Sequence, residues 1–184
     1  LSELPLNGKV PNEMGVKMAT ILWGPPNSGK TVWADTLMRR LPDFIRQNTC
    51  SICYDEPTAD DNSGAIFNIP AFAKVAKELA QKAQQTGMTD EIRAGFLKIF
   101  RDNRSDSQRI RSLTLNKAIE RGLDLFIDTT ASSSGVLKMI EGFRKQGYEN
   151  IVFIGTIAPL AISEERTKER HRPVEYKELY TKRI

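Results

Sequence analysis

Histidine and cysteine are almost missing from this chain of 184 residues: one histidine, His171, and two cysteines, Cys50 and Cys53. A structural zinc site takes about four such ligands, so a lone Cys-x-x-Cys with one distant histidine excludes a zinc ribbon or finger. The two cysteines fall in an apolar run, Thr49 to Tyr54, that reads as a strand. Three residues apart on a strand, their side chains point to opposite faces, as two packed thiols in a reducing cytoplasm would. Long apolar runs are lacking too. No stretch approaches the roughly 20 consecutive apolar residues of a membrane-spanning helix. The opening Leu1-Ser-Glu-Leu-Pro lacks the basic-then-apolar layout of a secretory signal, and an initiator Met. A cytoplasmic, monomeric protein is expected, either trimmed or excised from something longer. There is no internal repeat and no low-complexity segment.

What remains is ordinary for a globular domain: 40% apolar residues, 27% charged and a net charge of +4. So modest a charge permits a nucleic-acid partner without demanding one. The cations are uneven, however. Arg166, Lys168, Arg170, Arg172, Lys177, Lys182 and Arg183 crowd the end of the chain. Such a run is either a solvated helix face or a clamp for an anion.

The order of elements narrows the fold. Met18 to Trp23 is a nearly continuous apolar run, as a strand buried on both faces would be. A Gly- and Pro-rich turn follows, then a helix from Thr31 to Leu41 stopped by Pro42. Strands are expected at Thr49–Tyr54, Leu123–Ile127 and Ile151–Ile157. Between the second and third strands the apolar spacing predicts three helices: 71–85, 91–100 and 109–121. Further helices are expected at 134–146, 160–169 and 174–183. Alternating strands and helices give an α/β fold, a parallel sheet of four to five strands with helices on both faces. Residues 1–17 read as an N-terminal extension and 18–184 as one domain.

One motif carries chemistry outright. Gly24-Pro25-Pro26-Asn27-Ser28-Gly29-Lys30-Thr31 fits G-x-x-x-x-G-K-[ST], with a buried strand leading in and a helix leading out. Gly24 and Gly29 let the backbone curl so that successive N–H groups face phosphates, and the helix N-terminus adds partial positive charge. Lys30 is placed for the β- and γ-phosphates of ATP or GTP, and the Thr31 hydroxyl is a hard ligand for Mg²⁺. The metal also needs a carboxylate at the end of a neighbouring strand. Asp128 stands there, with Asp124 at the start of the same strand as the lesser choice. Asp55 closes the second strand and is the candidate base for an acceptor hydroxyl, ahead of Glu56, Asp60 and Asp61.

With these residues in place the chain resembles the zeta-toxin family of P-loop kinases from about Met18 to Arg183. The most specific stretch is Ala118-Ile-Glu-Arg-Gly-Leu-Asp-Leu-Phe-Ile-Asp-Thr-Thr130, similar to the family's helix, Gly and strand ending in an acid, a small residue and Thr. Arg144-Lys-Gln-Gly-Tyr148 resembles its turn before the next strand, and Arg166 to Val174 its Arg-rich lid. The resemblance implies a kinase acting on a nucleotide sugar such as UDP-N-acetylglucosamine. It assigns Lys30 and Thr31 to nucleotide and metal, Asp55 to the base, Asp128 and Thr130 to the third-strand site, and Arg166, Arg170 and Arg172 to the clamp. The acceptor side departs from the family: Ser132 stands where an Arg is usual, and the second strand runs out as Tyr54-Asp-Glu-Pro-Thr58. A 5′-hydroxyl kinase of nucleic acids or nucleosides is the alternative. A helicase-type motor is the third, since the phosphate loop also resembles that of small viral helicases.

Overall fold

The computed structural model describes residues 6, 8–13, 15–25, 27–52, 66, 68–130 and 134–169, the side chains of 167–169 excepted. Four parallel strands form one sheet in the order β2-β3-β1-β4: β1 (Lys17–Trp23), β2 (Thr49–Ile52), β3 (Asp124–Thr129) and β4 (Tyr148–Gly155). From β1 the chain moves out past β3 to β2, returns through β3, and then crosses to β4 on the other side. The carboxyl end of β1 is therefore the point where the strand order reverses, and crevices at such points take ligands.

Alternation along the strands divides the core. Ala19, Ile21, Cys50, Ile52, Leu125 and Ile127 share one cluster with Ala118 and Phe143. Those two come from α4 (Asp90–Glu120) and α5 (Gly135–Lys145), which cover that face. Leu22 and Phe126 point the other way and pack against Ala34 and Met38 of α1 (Lys30–Arg40). Helices thus cover both faces, as the sequence pattern predicts. Leu6 is also buried in the first cluster, and Arg121 donates to the carbonyls of Leu6 and Lys9 at 3.0 and 2.6 Å. Tyr148 anchors the start of β4 by donating to the Leu123 carbonyl at 2.7 Å. Burial, and then the charge of Asp124, push its hydroxyl far above the usual tyrosine range, so it stays a neutral donor.

Three elements differ from the sequence expectation. The helices expected at 91–100 and 109–121 are one continuous helix of 31 residues, α4. The polar stretch between them holds neither Pro nor Gly, and ion pairs Lys98–Asp102 at 2.7 Å and Asp106–Arg109 at 3.6 Å flank it. The apolar rhythm lapses there because the packing partner changes. Upstream, Ile92 and Phe96 meet Phe72 and Ala76 of α3 (Pro70–Thr86); downstream, Ala118 meets the sheet. A short helix, α2 (Asp43–Asn48), follows Pro42 where none is expected, with Asp43 paired to Arg46. Strand β4 begins three residues before the expected Ile151 and ends at Gly155. The exposed Glu149 and Asn150 hide its start from an apolar reading. Strand β2 is described as far as Ile52; Cys53, Tyr54 and the helix expected at 174–183 lie outside the described residues.

Candidate nucleotide site

The phosphate loop leaves β1 at the reversal point and enters α1 directly. Its curl rests on three residues. Gly24 has φ 156°, Asn27 φ 62° and Gly29 φ 91°. Asn27 is one of the few residues with a side chain that tolerates the left-handed region. Gly29 caps α1, and no acidic residue stands in the first turn, so the positive end of the helix is not neutralised there. Lys30 is 8% exposed and its Nζ donates to the Pro25 carbonyl at 2.8 Å. The ammonium is thus held by a carbonyl of its own loop.

The loop is braced from β4. Ser28 Oγ and Thr156 Oγ1 are 2.7 Å apart, and the Thr156 amide donates to the Trp23 carbonyl at 2.8 Å. So close is the approach that a Cβ on Gly24 would lie 2.3 Å from the Thr156 carbonyl oxygen and 2.5 Å from its hydroxyl. Gly24→Ala is therefore expected to cost about 1–3 kcal/mol through overpacking and to weaken nucleotide binding. Chemical denaturation and nucleotide titration check both; an unchanged midpoint with unchanged affinity would contradict the bracing role of Thr156.

A second brace comes from α6 (Leu160–Glu169). Asn27 Nδ2 donates to the Ser163 carbonyl at 3.4 Å, and Arg166 Nη1 donates to the Asn27 carbonyl at 3.0 Å. The guanidinium stands 3.8 Å from where a Gly29 Cβ would be, directly over the turn that enters α1. Of the lid cations read from the sequence, Arg166 is brought to the loop. Arg170 and Arg172 lie outside the described residues, as do Pro26 and Asp55.

On β3, Asp128 is 7% exposed and sits opposite Leu22 of β1, on the face that carries α1. Thr31, the second residue of α1, and Asp128 therefore belong to the same side of the sheet. Asp124 stands at the other end of the strand, where it accepts from the Met18 amide at 2.8 Å and from Asn12 at 3.0 Å. Thr130 follows β3, half-buried. Among the described residues no three His, Cys, Asp or Glu side chains gather around a common point. One hydroxyl and one carboxylate fit Mg²⁺ in particular, which keeps its waters and takes most other ligands from phosphates. Sequence reasoning gave no hint of Thr156 or Ser163 as partners of the loop. Each acts through a contact more than 120 positions away, which local spacing cannot reveal.

The sequence pattern of a family described as an AAA domain matches residues 20–183. A solved chain from the PezAT chromosomal toxin–antitoxin system of the human pathogen Streptococcus pneumoniae has a similar fold. Its TM-score is 0.56 at 17% identity, over 96% of this chain and 59% of that one. The chain thus spans about three-fifths of that structure's length, and at this identity the likeness concerns the fold. No curated protein matches the chain.

Proposed function

The chain belongs to the AAA domain family and shares its fold with a chain of a toxin–antitoxin system, and from that premise we propose that it is a zeta-toxin-like P-loop kinase that transfers the γ-phosphate of ATP or GTP to the hydroxyl of a small acceptor. A nucleotide sugar such as UDP-N-acetylglucosamine is the first acceptor to try. The observation that carries this reading is Arg166, held over the phosphate loop by the Asn27 carbonyl. A cation supplied by the same chain suits a kinase, which must close over its own triphosphate; a ring-forming motor takes its arginine from a neighbouring subunit.

The residues divide the work by position. Loop amides and the α1 N-terminus bind the β-phosphate, and Lys30 bridges toward the γ-phosphate. Mg²⁺, held by the Thr31 hydroxyl and by Asp128 directly or through water, would neutralise charge on the terminal phosphates. Arg166 faces the oxygens on which charge shifts as the phosphoryl group leaves. Asp55, the base that the resemblance assigns, follows the last described residue of β2 by three positions in the sequence. Ile52 pairs with Ile127, the neighbour of Asp128. A carboxylate following β2 in sequence is the group we assign to accept the acceptor's proton.

Transfer of labelled γ-phosphate across a panel of nucleotide sugars, nucleosides and 5′-hydroxyl oligonucleotides tests the proposal. Transfer to a nucleotide sugar supports it, and transfer to oligonucleotides alone moves the reading to a polynucleotide kinase. Hydrolysis without an acceptor, stimulated by nucleic acid in an oligomer, would make it a motor. Arg166→Ala is expected to lower single-turnover transfer roughly 10²-fold while changing nucleotide affinity much less, since its charge acts on the transition state. Equal losses in rate and affinity would reassign Arg166 to ground-state binding.

A further inference from the structure

The two edges of the sheet differ in how they are covered. At one edge the described residues of β2, Thr49 to Ile52, are all buried, at 5% exposed or less. At the other edge β4 is buried only at Tyr148, and Val152 and Phe153 are 41% and 43% exposed. These two lie on opposite faces. Phe153 pairs with Ile21, on the face of α4 and α5, while Val152 and Ile154 pair with Thr20 and Leu22, on the face of α1. Among the described residues no strand pairs with the outer side of β4. Such an edge is usually blunted by a charge, a Pro or a bulge. Residues 150–158 hold no charged residue and no Pro, and the irregularity in the ladder falls at Glu149, before this stretch. The direction of the free backbone groups follows from the ladder. The Thr156 amide donates inward to the Trp23 carbonyl at 2.8 Å, and backbone groups alternate sides along a strand. Asn150, Val152 and Ile154 therefore also turn theirs to β1, and the N–H and C=O groups of Ile151, Phe153 and Gly155 point outward.

We propose that this edge is the interface between two copies of the chain, with β4 paired antiparallel to β4 of the second copy about a two-fold axis at Phe153. At that register Phe153 meets its own counterpart, and Ile151 meets Gly155 of the second copy. All of these point their backbone groups outward, so each such pair exchanges two hydrogen bonds. Between them Val152 meets Ile154 of the second copy, an apolar cross-strand pair on the α1 face. The overlap from Asn150 to Thr156 carries no charge on either copy, although each copy carries a net +4 and repels the other elsewhere. The symmetry follows from the covered edge. Pairing β4 with β2 of the next copy would run on without closing, and β2 is buried, whereas a two-fold pairing of β4 with itself closes at the dimer. A dimer departs from the monomer expected from the sequence, in which the apolar run of β4 reads simply as core. It leaves Arg166 over the phosphate loop of its own chain and so stands apart from the choice of acceptor.

Sedimentation equilibrium of the unaltered chain should show a monomer–dimer equilibrium. Hydrogen exchange at the amides of Ile151, Phe153 and Gly155 should be slow in the dimer and speed up on dilution. Phe153→Lys and Phe153→Glu should each weaken the dimer roughly tenfold or more, because like charges then stand directly opposite across the axis and the ring pair is lost. Mixing the two variants in equal amounts should restore a heterodimer, since the facing charges then match. Val152→Lys should also weaken the dimer, and from the other face, away from the Trp23 ring that lies 6.2 Å from that of Phe153. An unchanged circular dichroism spectrum certifies the fold of each variant. A chain that stays monomeric at every concentration overturns the proposal, and outward amides that are protected in that monomer would show the edge taken by another segment of the same chain. A dimer indifferent to both Phe153 variants, or one that mixing them does not restore, overturns the pairing at Phe153.

Discussion

Lys30→Ala is expected to lower γ-phosphate transfer by roughly 10³-fold, the scale seen when a preorganised charge is taken from a developing anion. Two features of the loop support so large a figure. The ammonium is 8% exposed, so water cannot replace it at the same position with the same effect. It is also tied to the Pro25 carbonyl at 2.8 Å, so its place is fixed before any phosphate arrives and no reorganisation is required at the moment of transfer. The variant leaves that carbonyl without its lysine, so some loosening of the loop is expected as well. Single-turnover transfer and AMP-PNP titration separate the two: a rate loss much larger than the affinity loss marks transition-state work. Retention of wild-type turnover at limiting Mg²⁺ would remove the phosphate loop from the mechanism. Thr31→Ala is the companion measurement, expected to raise the Mg²⁺ concentration needed for half-maximal rate.

The phosphate loop was legible because its chemistry is written in eight contiguous residues between a buried strand and a helix. The strand β3 was legible for a related reason. An apolar run that stops at an acid marks the carboxyl edge of a parallel sheet, and Asp128 is the residue at which the run stops. Less could be read where structure depends on what lies across the fold. Helix α4 looked broken because the apolar rhythm tracks its packing partners, and α4 exchanges α3 for the sheet along its length. Asn27 is legible only as one position of the phosphate loop, whereas it also supplies the left-handed turn and links the loop to both Ser163 and Arg166. Thr156 carries no local mark at all. It is a threonine after a strand, and only the pairing of β1 with β4 gives it a place beside the loop.

The two remaining carboxylates are expected to part company under substitution, and the contrast tests the division of labour between β2 and β3. Asp55→Asn should lower the transfer rate by roughly 10²–10⁴-fold, the usual loss when a general base is removed, and leave nucleotide affinity nearly unchanged. Asn keeps the size of Asp and one of its two acceptor oxygens but cannot take a proton, so nucleotide binding should survive while proton removal does not. Asp128→Asn should do the reverse. Asp128 is 7% exposed beside the α1 face, and losing its charge should weaken the Mg²⁺–nucleotide complex first. Part of the lost rate should then return as Mg²⁺ is raised. No such recovery is expected for Asp55→Asn, because added metal does not supply a base. Measuring rate against Mg²⁺ for both variants, with the identified acceptor in excess, gives two curves whose shapes decide the matter. If added Mg²⁺ rescues Asp55→Asn and not Asp128→Asn, the roles are exchanged: the metal belongs to the end of β2 and the acceptor's proton to the end of β3.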